Sequence, residues 1–270
     1  MVVKSLDAFF GEHAKPGAVW LTTGDRGGGK THTAVHLAES FVKGAYPSMG
    51  KVIVATNIIF YHKVNGEIKT ECPEGVYHIT TMQQLFPIIV ENVKKYGRSV
   101  RIILILDEAQ NFIAGDNNSI NESVNMKIFL GTIRKYCLMV WFLTPTAMSV
   151  GPAFRNYTTD PNKAGNVTCK IRKDLAMNAE YIRKTKKDWN PKQVVMVRAN
   201  DREFFFMRVG KTEWTKTWEE LEEGEYCYDH QSNATFYAGD GFDFSDFNKV
   251  MGDVASVNQM AAIEKYYASK

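Results

Sequence analysis

The sequence predicts an α/β fold in which a mainly parallel sheet is covered by helices on both faces. Two patterns indicate this fold. Through the first 150 residues, short apolar runs alternate with segments of helical periodicity, which is typical of parallel strands joined by helices. The segment 102–106 is apolar at every position, as expected for a strand that is buried on both faces of a sheet.

The first predicted strand and helix flank a glycine-rich loop. The apolar run "AVWLTT" at 18–23 predicts a buried strand that ends at this loop. Beyond Lys30, apolar residues recur along one helical face as far as Phe41, and Gly44 predicts the end of the helix. Strand, loop and helix in this order are the context in which a glycine-rich loop binds phosphate groups.

The alternation continues along the chain, with strands predicted at 51–57, 100–108 and 137–144 and a helix through roughly 122–136. Within 76–97, a short strand precedes a second helix. Thr81 and Gln84 have the spacing of a capping box for that helix, and Gly97 predicts its end. Pro87 predicts either a kink or a later start of the helix.

The pattern changes beyond residue 150, where residues 151–166 have the composition of a loop. The elements predicted after it are a β-hairpin at 193–210 that turns near Asn200, a short acidic helix that begins at Thr217, and a helical segment from about Ser245. We expect residues 1–160 to form the core and residues 161–270 to complete it as part of one compact domain.

Composition indicates a globular protein without a membrane span. The 270 residues are 44% hydrophobic and 23% charged, which is ordinary for such proteins. The longest apolar runs are far too short to cross a bilayer, and the N-terminal residues lack the pattern of a signal peptide. Four cysteines lie tens of residues apart, which favours free thiols in a reducing compartment. The sequence therefore predicts a cytoplasmic protein.

The charge is unevenly distributed, although the net charge is only +3. Residues 150–211 contain 14 Lys/Arg and 6 Asp/Glu, whereas residues 212–270 contain 4 and 12. Tyr181 and Trp189 flank the basic cluster "RKTKK" at 183–187. This pattern is consistent with a polyanionic partner such as DNA, and on charge alone a solvated surface explains it equally well.

The segment "GDRGGGKT" fits the phosphate-binding pattern G-x-x-x-x-G-K-[ST], with Gly24, Gly29, Lys30 and Thr31 in the fixed positions. Glycines let the main-chain N–H groups approach phosphate oxygens closely, and the N-terminus of the following helix favours negative charge. In this pattern Lys30 reaches the β- and γ-phosphates of ATP, and the Thr31 hydroxyl faces Mg²⁺.

The second motif is "IILILDEAQNF", in which a buried strand delivers Asp107 and Glu108 at its carboxyl end. An acidic pair there is often only a helix cap or a solvated turn. Because ligands of α/β sheets bind at the carboxyl ends of the strands, Asp107 is predicted to lie beside the metal ion. Glu108 is then placed to polarise the water that attacks the γ-phosphate.

These motifs resemble the FtsK/HerA group of P-loop ATPases, and in particular its Zot-like and viral DNA-packaging members. The segments "GDRGGGKT", "VIVATNI", "ILDEAQNF" and "IRKYCLMVWFLT" carry the resemblance, which covers about residues 18–156. It implies a RecA-like (ASCE) core that assembles into a homo-oligomeric ring. It also implies that Lys30 and Thr31 bind phosphate and Mg²⁺, that Asp107 holds the metal, and that Glu108 is the catalytic base.

The resemblance also bears on the remaining site residues. Members of the group carry a glutamine after the threonine that ends the next strand, whereas this chain has Thr144 followed by Pro145. Arg134 and Arg155 are the candidates for an arginine that reaches a neighbouring subunit's γ-phosphate, although a surface role suits each equally well. The residues predicted to contact ATP are Gly24, Asp25, Arg26, Gly27, Gly28, Gly29, Lys30, Thr31, His32 and Thr144.

The leading functional hypothesis is an ATP-hydrolysing motor that translocates or packages double-stranded DNA for a virus, plasmid or other mobile element. Two alternatives remain open. A Zot-like assembly or secretion ATPase would act on a protein partner instead of DNA. A slow ATP-dependent switch would fit the proline that stands in place of the usual glutamine.

Overall fold

The computed structural model describes residues 5–24, 26–111, 129–131, 133–149, 167–170, 194–198, 204–208, 210–232 and 234–236. For 167–170, 194–198 and 204–208 it describes the main chain alone. Several sequence predictions lie outside these residues. They concern the start of the helix at 122–136, the loop at 151–166, the turn near Asn200 and the helical segment from Ser245.

Three α-helices lie entirely within the described residues: α1 at Leu6–His13, α2 at Lys30–Val42 and α3 at Leu85–Tyr96. Residues 129–131 are also helical. The strands are β1 (Val19–Thr23), β2 (Val52–Thr56), β3 (Phe60–Val64), β4 (Glu67–Thr70), β5 (Val76–His78), β6 (Arg101–Leu106), β7 (Leu138–Thr144), β8 (Val167–Lys170), β9 (Val194–Arg198), β10 (Phe204–Arg208) and β11 (Tyr226–Tyr228).

The described strands form a main sheet in the order β10-β9-β8-β1-β7-β6-β2-β5. The six strands from β8 to β5 run parallel, whereas β9 pairs antiparallel with both β8 and β10. Strand β7 lies between β1 and β6, so the two strands that carry the predicted motifs are not neighbours. The described residues therefore form an α/β fold with a mainly parallel sheet between helical layers, which confirms the predicted fold class.

The main sheet separates two apolar layers because successive side chains of a strand point to opposite faces. Trp20, Ile103 and Trp141 lie in the layer that α1 and α2 cover. Leu21 and Leu104 lie in the other layer, which α3 covers. The central strands β1, β6 and β7 are almost completely buried, which explains why they are apolar on both faces.

A second, antiparallel sheet of the described residues has the order β11-β3-β4. Its strands were not predicted from the sequence. The chain enters it directly from the carboxyl end of β2, since β3 begins at Phe60. Phe60 and Tyr228 from this sheet pack into the apolar layer beneath α2, so the small sheet is attached to the main core.

Most predicted elements are confirmed, with small shifts at their ends. Pro87 lies in the first turn of α3, after a 3-10 turn that carries the predicted Thr81–Gln84 capping box. Thus the proline marks a later helix start, and not a kink. Of the predicted helix at 122–136, residues 129–131 are helical and Ile133–Tyr136 form a 3-10 turn. The acidic helix after Thr217 is one capped 3-10 turn.

Candidate active site

Most of the predicted site residues that the structure describes lie at the carboxyl ends of three parallel strands of the main sheet, or in the loops and the helix that follow them. Strand β1 ends at Thr23, β6 ends just before Asp107, and β7 ends at Thr144. Because these strands are parallel, their carboxyl ends lie at the same edge of the sheet. This edge is where ligands of α/β proteins bind.

The loop at residues 24–29, which we call the glycine loop, requires glycine for its main-chain conformation. Gly27 and Gly29 have φ angles of 66° and 94°, a region that side chains disfavour. A Cβ atom at either position would meet nothing within 4 Å. The N–H of Gly24 donates to the carbonyl of Pro145 over 3.1 Å, which ties the loop to the end of β7. Asp25 lies outside the described residues.

Lys30 is the first residue of α2, and its side chain turns back over the glycine loop. Its Nζ donates a 2.9 Å hydrogen bond to the carbonyl of Gly24, and only 7% of the residue is exposed. The ammonium group is therefore held inside the loop, at the N-terminus of a helix. A cation in this position suits the terminal phosphates of a nucleotide.

A direct contact joins the two predicted motifs. The Thr31 hydroxyl donates a 2.6 Å hydrogen bond to Oδ2 of Asp107, 76 residues later in the chain. Asp107 is buried, and burial raises the pKa of its carboxyl, while hydrogen bonds from Thr31 and from the Glu108 amide act in the opposite direction. A hydroxyl beside a carboxylate is a pair of oxygen ligands that Mg²⁺ accepts together with phosphate oxygens and water.

Asn57 was not predicted as a site residue, although it belongs to the quoted segment "VIVATNI". It lies at the carboxyl end of β2 and is fully buried. Its Nδ2 donates to the carbonyl of Asp107 over 3.0 Å, and its Oδ1 accepts from the N–H of Asp107 over 2.8 Å. One side chain thus binds both main-chain groups of Asp107. The signal in the sequence was a polar residue that ends an apolar strand.

Glu108 has a φ angle of 52°, which is uncommon for a residue other than glycine. The N–H of Asn111 donates to its carbonyl over 2.9 Å, which closes a tight turn. Nε2 of Gln110 donates to the Glu108 carboxylate. Within the described part of the chain, Oε1 of Gln110 is buried without a hydrogen-bond partner. The amide therefore fixes the carboxylate and retains a free acceptor beside it.

Thr144 is fully buried at the end of β7, and its hydroxyl donates to the carbonyl of Thr146 over 3.3 Å. Pro145, which stands where the resemblance expects glutamine, contributes its carbonyl to the glycine loop. The resemblance expects a phosphate-sensing amide at this strand end. In this chain the strand end instead contacts the glycine loop through the main-chain carbonyl of Pro145.

The other predicted residues lie around this centre or elsewhere. Arg26 is exposed in the glycine loop, and Nε2 of His32 lies 3.4 Å from the Gly210 carbonyl. Arg134 is exposed, and its side chain lies within 3.1 Å of the position that a Cβ atom at Gly17 would occupy. Gly17 precedes β1, so Arg134 lies at the opposite edge of the sheet from Lys30. Arg155 lies outside the described residues. The arginine assignments stay predictions.

Two further properties concern the described residues alone. They contain no group of three or more His, Cys, Asp or Glu side chains that would hold a metal ion. A magnesium site here would use Thr31 and Asp107 with ligands from the nucleotide and water, as Mg²⁺ commonly does. In the same residues, no helix is long and apolar enough to cross a membrane.

Comparisons with known proteins give only distant similarities. No protein-family model and no curated protein matches the sequence. Among solved structures, the genome-packaging NTPase B204 of Sulfolobus turreted icosahedral virus 2, in complex with ATP-gammaS, is 13% identical with a TM-score of 0.44, over 72% of this chain and 98% of that one.

Two other solved structures are similar at the same level. The N-terminal domain of zonular occludens toxin from Neisseria meningitidis is 16% identical with a TM-score of 0.35, over 80% of this chain and 96% of that one. The cytoplasmic domain of the type VII secretion ATPase EccC from Thermomonospora curvata is 10% identical with a TM-score of 0.44. That similarity covers 76% of this chain and 24% of EccC.

Proposed function

We propose that this protein is a Mg²⁺-dependent ATPase of the P-loop type. The observation that carries the proposal is the hydrogen bond from Thr31 to Asp107. It brings the two sequence motifs together at one edge of the sheet, beside the ammonium group of Lys30. If the glycine loop bound no ligand and the acidic pair only capped a helix, nothing would require this contact between them.

The side chains support a division of labour in hydrolysis. The main-chain N–H groups of the glycine loop and the Nζ of Lys30 bind the β- and γ-phosphates, and Lys30 exchanges the Gly24 carbonyl for phosphate oxygen. Thr31 and Asp107 would hold Mg²⁺, which neutralises charge on the phosphates. Glu108 accepts a proton from water as the water oxygen attacks the γ-phosphorus, and the bond to ADP breaks.

We further propose that hydrolysis drives movement of double-stranded DNA by a ring of subunits. The support is the basic segment between β8 and β9. Main-chain pairing places Lys170, the last residue of β8, beside Thr23 of β1, at the edge that carries the glycine loop. Strand β9 runs antiparallel to β8 and begins at Val194. Both residues that flank segment 171–193 therefore lie toward the nucleotide edge.

The ATPase proposal is tested by phosphate release from Mg-ATP. We expect Lys30→Ala to lower kcat/KM at least about 100-fold and Glu108→Gln to lower kcat by a similar factor without preventing ATP binding. Lys94→Ala and Glu91→Gln change residues on the outer side of α3 and should hydrolyse ATP at the wild-type rate. Hydrolysis that survives both site substitutions would contradict the assignment.

The ring is tested by the mass of the Mg-ATP-bound Glu108→Gln protein in solution, for which we expect a defined oligomer. A monomer at all concentrations, both with ATP and with DNA, would contradict the ring and would favour a slow ATP-dependent switch. Binding to a protein partner without any affinity for DNA would favour an assembly or secretion ATPase.

A further inference from the structure

We propose that Asn57 is a positioning residue for residues 107–111, which we call the catalytic turn. Its amide binds both the N–H and the carbonyl of Asp107. It thereby sets the direction of the chain from the end of β6 to Glu108. This inference rests on the proposed ATPase function and adds a residue from a different strand to the catalytic machinery.

The first argument is the geometry of the strand ends. Main-chain pairing of β2 with β6 extends only as far as Thr56 and Ile105. Beyond that point the Asn57 side chain supplies the acceptor and the donor that a neighbouring strand would otherwise supply. Buried main-chain groups need such partners, so the amide extends the sheet by one step and holds Asp107.

The second argument is the uncommon conformation of Glu108. A residue with a positive φ keeps it only when surrounding contacts enforce it. Within the catalytic turn, Oδ1 of Asp107 accepts a 2.9 Å hydrogen bond from the N–H of Glu108, and the N–H of Asn111 binds the Glu108 carbonyl. Asn57 adds a contact from 50 residues earlier in the chain, which attaches the catalytic turn to the end of β2.

The third argument is the position of Asn57 between two sheets. The next residues after Asn57 lead into β3, and the carbonyl of Ile59 accepts a 2.9 Å hydrogen bond from the N–H of Asp229 just beyond β11. The residue that holds the catalytic turn therefore begins the connection to the small sheet. A displacement of that sheet would therefore act on a residue that contacts Asp107.

Position 57 requires asparagine because its side chain both donates a hydrogen bond to Asp107 and accepts one from it. Asn57→Asp keeps the shape of the side chain, and the new carboxylate can accept from the N–H of Asp107. It cannot donate to the Asp107 carbonyl unless it binds a proton. Asn57→Ala removes both hydrogen bonds. Asn92→Asp is a matched control, since Asn92 is 2% exposed and its Nδ2 donates to a main-chain carbonyl, that of Ile88 in α3.

The kinetic experiment measures kcat and the Kd of a non-hydrolysable ATP analogue between about pH 6 and pH 8. We expect Asn57→Ala and Asn57→Asp to lower kcat about 100-fold at the upper end of this range, because a small misplacement of a catalytic group has an effect of that size. Nucleotide Kd should change less than about threefold, since Lys30 and the glycine loop are unaltered.

The pH dependence separates positioning from packing. As the pH falls, the carboxylate that Asn57→Asp introduces regains a proton and with it the donor to Asp107. The ratio of the kcat of this variant to that of the wild type should then rise by up to about tenfold per pH unit while the carboxylate form predominates. The ratios for Asn57→Ala and Asn92→Asp should stay constant. If the ratio for Asn57→Asp does not change with pH, the proposal is overturned.

Hydrogen exchange provides a test that does not depend on activity. In the nucleotide-free Asn57→Ala protein, the amides of Asp107, Glu108 and Asn111 should exchange at least about tenfold faster than in the wild type, whereas amides of β1 and α2 should not. Unchanged exchange in the catalytic turn would reject the role of Asn57. If the wild type hydrolyses no ATP, the ATPase proposal fails, and the exchange result still decides whether Asn57 fixes residues 107–111.

Discussion

At the scale of single residues, Asp107 combines burial with a charge that its proposed role requires. Burial raises the pKa of this carboxyl in the folded protein, so the folded state takes up a proton more readily than the unfolded state does. The ionised carboxylate therefore destabilises the nucleotide-free protein near neutral pH. A buried carboxylate with a shifted pKa is typical of a functional site, which agrees with the proposed role of Asp107 as a metal ligand.

We predict that Asp107→Asn raises the melting temperature of the nucleotide-free protein at neutral pH by about 2–4 °C and abolishes hydrolysis. Asparagine can accept from the Glu108 amide with Oδ1 and donate to the Thr31 hydroxyl with Nδ2, so both contacts survive without the buried charge. Thermal unfolding with and without Mg-ATP measures both effects, since the variant should also lose the stabilisation by Mg-ATP.

The pH dependence of this difference follows from the direction of the pKa shift. As the pH falls through the raised pKa of Asp107, the wild type takes up the proton that burial favours, and its stability rises relative to that of the variant. The difference in melting temperature should shrink and disappear near the ordinary pKa of 3.8. A difference that is independent of pH, or a less stable variant at neutral pH, would contradict the prediction.

Residues with a fixed spacing in the sequence were predictable, and residues with a role only in three dimensions were not. Lys30 and Thr31 follow the glycines directly, and Asp107 ends the most apolar strand. Asn57 has no such pattern, because its partner lies 50 residues away and only the pairing of β2 with β6 brings them together. The role of the Pro145 carbonyl was equally hidden, since a main-chain contact leaves no residue type in the sequence.

At the scale of elements, helix α2 begins and ends at glycines with positive φ. Gly29 precedes the helix with a φ of 94°, and Gly44 follows it with a φ of 73°. A Cβ atom at either position would meet nothing within 4 Å. The cost of a side chain is therefore conformational at both ends, about 1–2 kcal/mol. Only Gly29 belongs to the proposed phosphate-binding loop.

We predict that Gly29→Ala and Gly44→Ala lower the free energy of unfolding by similar amounts, about 1–2 kcal/mol each. Gly29→Ala should in addition weaken the binding of Mg-ATP at least about tenfold, because the added methyl group and the altered φ displace the N–H groups that face phosphate. Urea unfolding and nucleotide titration measure the two effects. Equal ATP affinities in the two variants would indicate that the glycine loop does not bind the phosphates.

The elements that the sequence did not predict show why local patterns are insufficient. The turn between β3 and β4 contains Asn65 and Gly66, both with positive φ, which is a recognised hairpin signal. The hairpin was missed because its strands are mostly polar and, in β4, exposed. Strand β11 pairs with β3 from a distant part of the chain, and no periodicity within three residues reveals such a partner.

At the scale of the whole molecule, the charge distribution connects the fold to the proposed DNA partner. Residues 150–211 contain 14 Lys/Arg, and the strands on either side of the basic clusters follow β1 in the order of the sheet. The carboxyl end of β8 lies beside the end of β1. Lys170 and Val194, which flank the basic segment 171–193, therefore lie toward the edge that carries the glycine loop, and this is the observation behind the proposed coupling of DNA to ATP hydrolysis.

We predict that the double variant Lys186→Ala/Lys187→Ala binds double-stranded DNA more weakly than the wild type, with ATP hydrolysis in the absence of DNA unchanged. Each lysine that neutralises a phosphate contributes about 0.9 to the slope of log K against log salt, so the slope should fall by about 2. Fluorescence anisotropy of a labelled duplex between about 50 and 300 mM salt measures this.

The pair Lys94 and Lys95 allows a control of equal charge. Both are exposed in the last turn of α3, on the opposite face of the main sheet from α2. Lys94→Ala/Lys95→Ala lowers the net charge by the same amount, two units. A loss of DNA binding through net charge alone would therefore affect the two double variants equally. A local contact predicts a reduced slope only for the pair at 186 and 187. Equal slopes in all three proteins would remove the basic segment from the DNA-binding surface and leave the ATPase assignment intact.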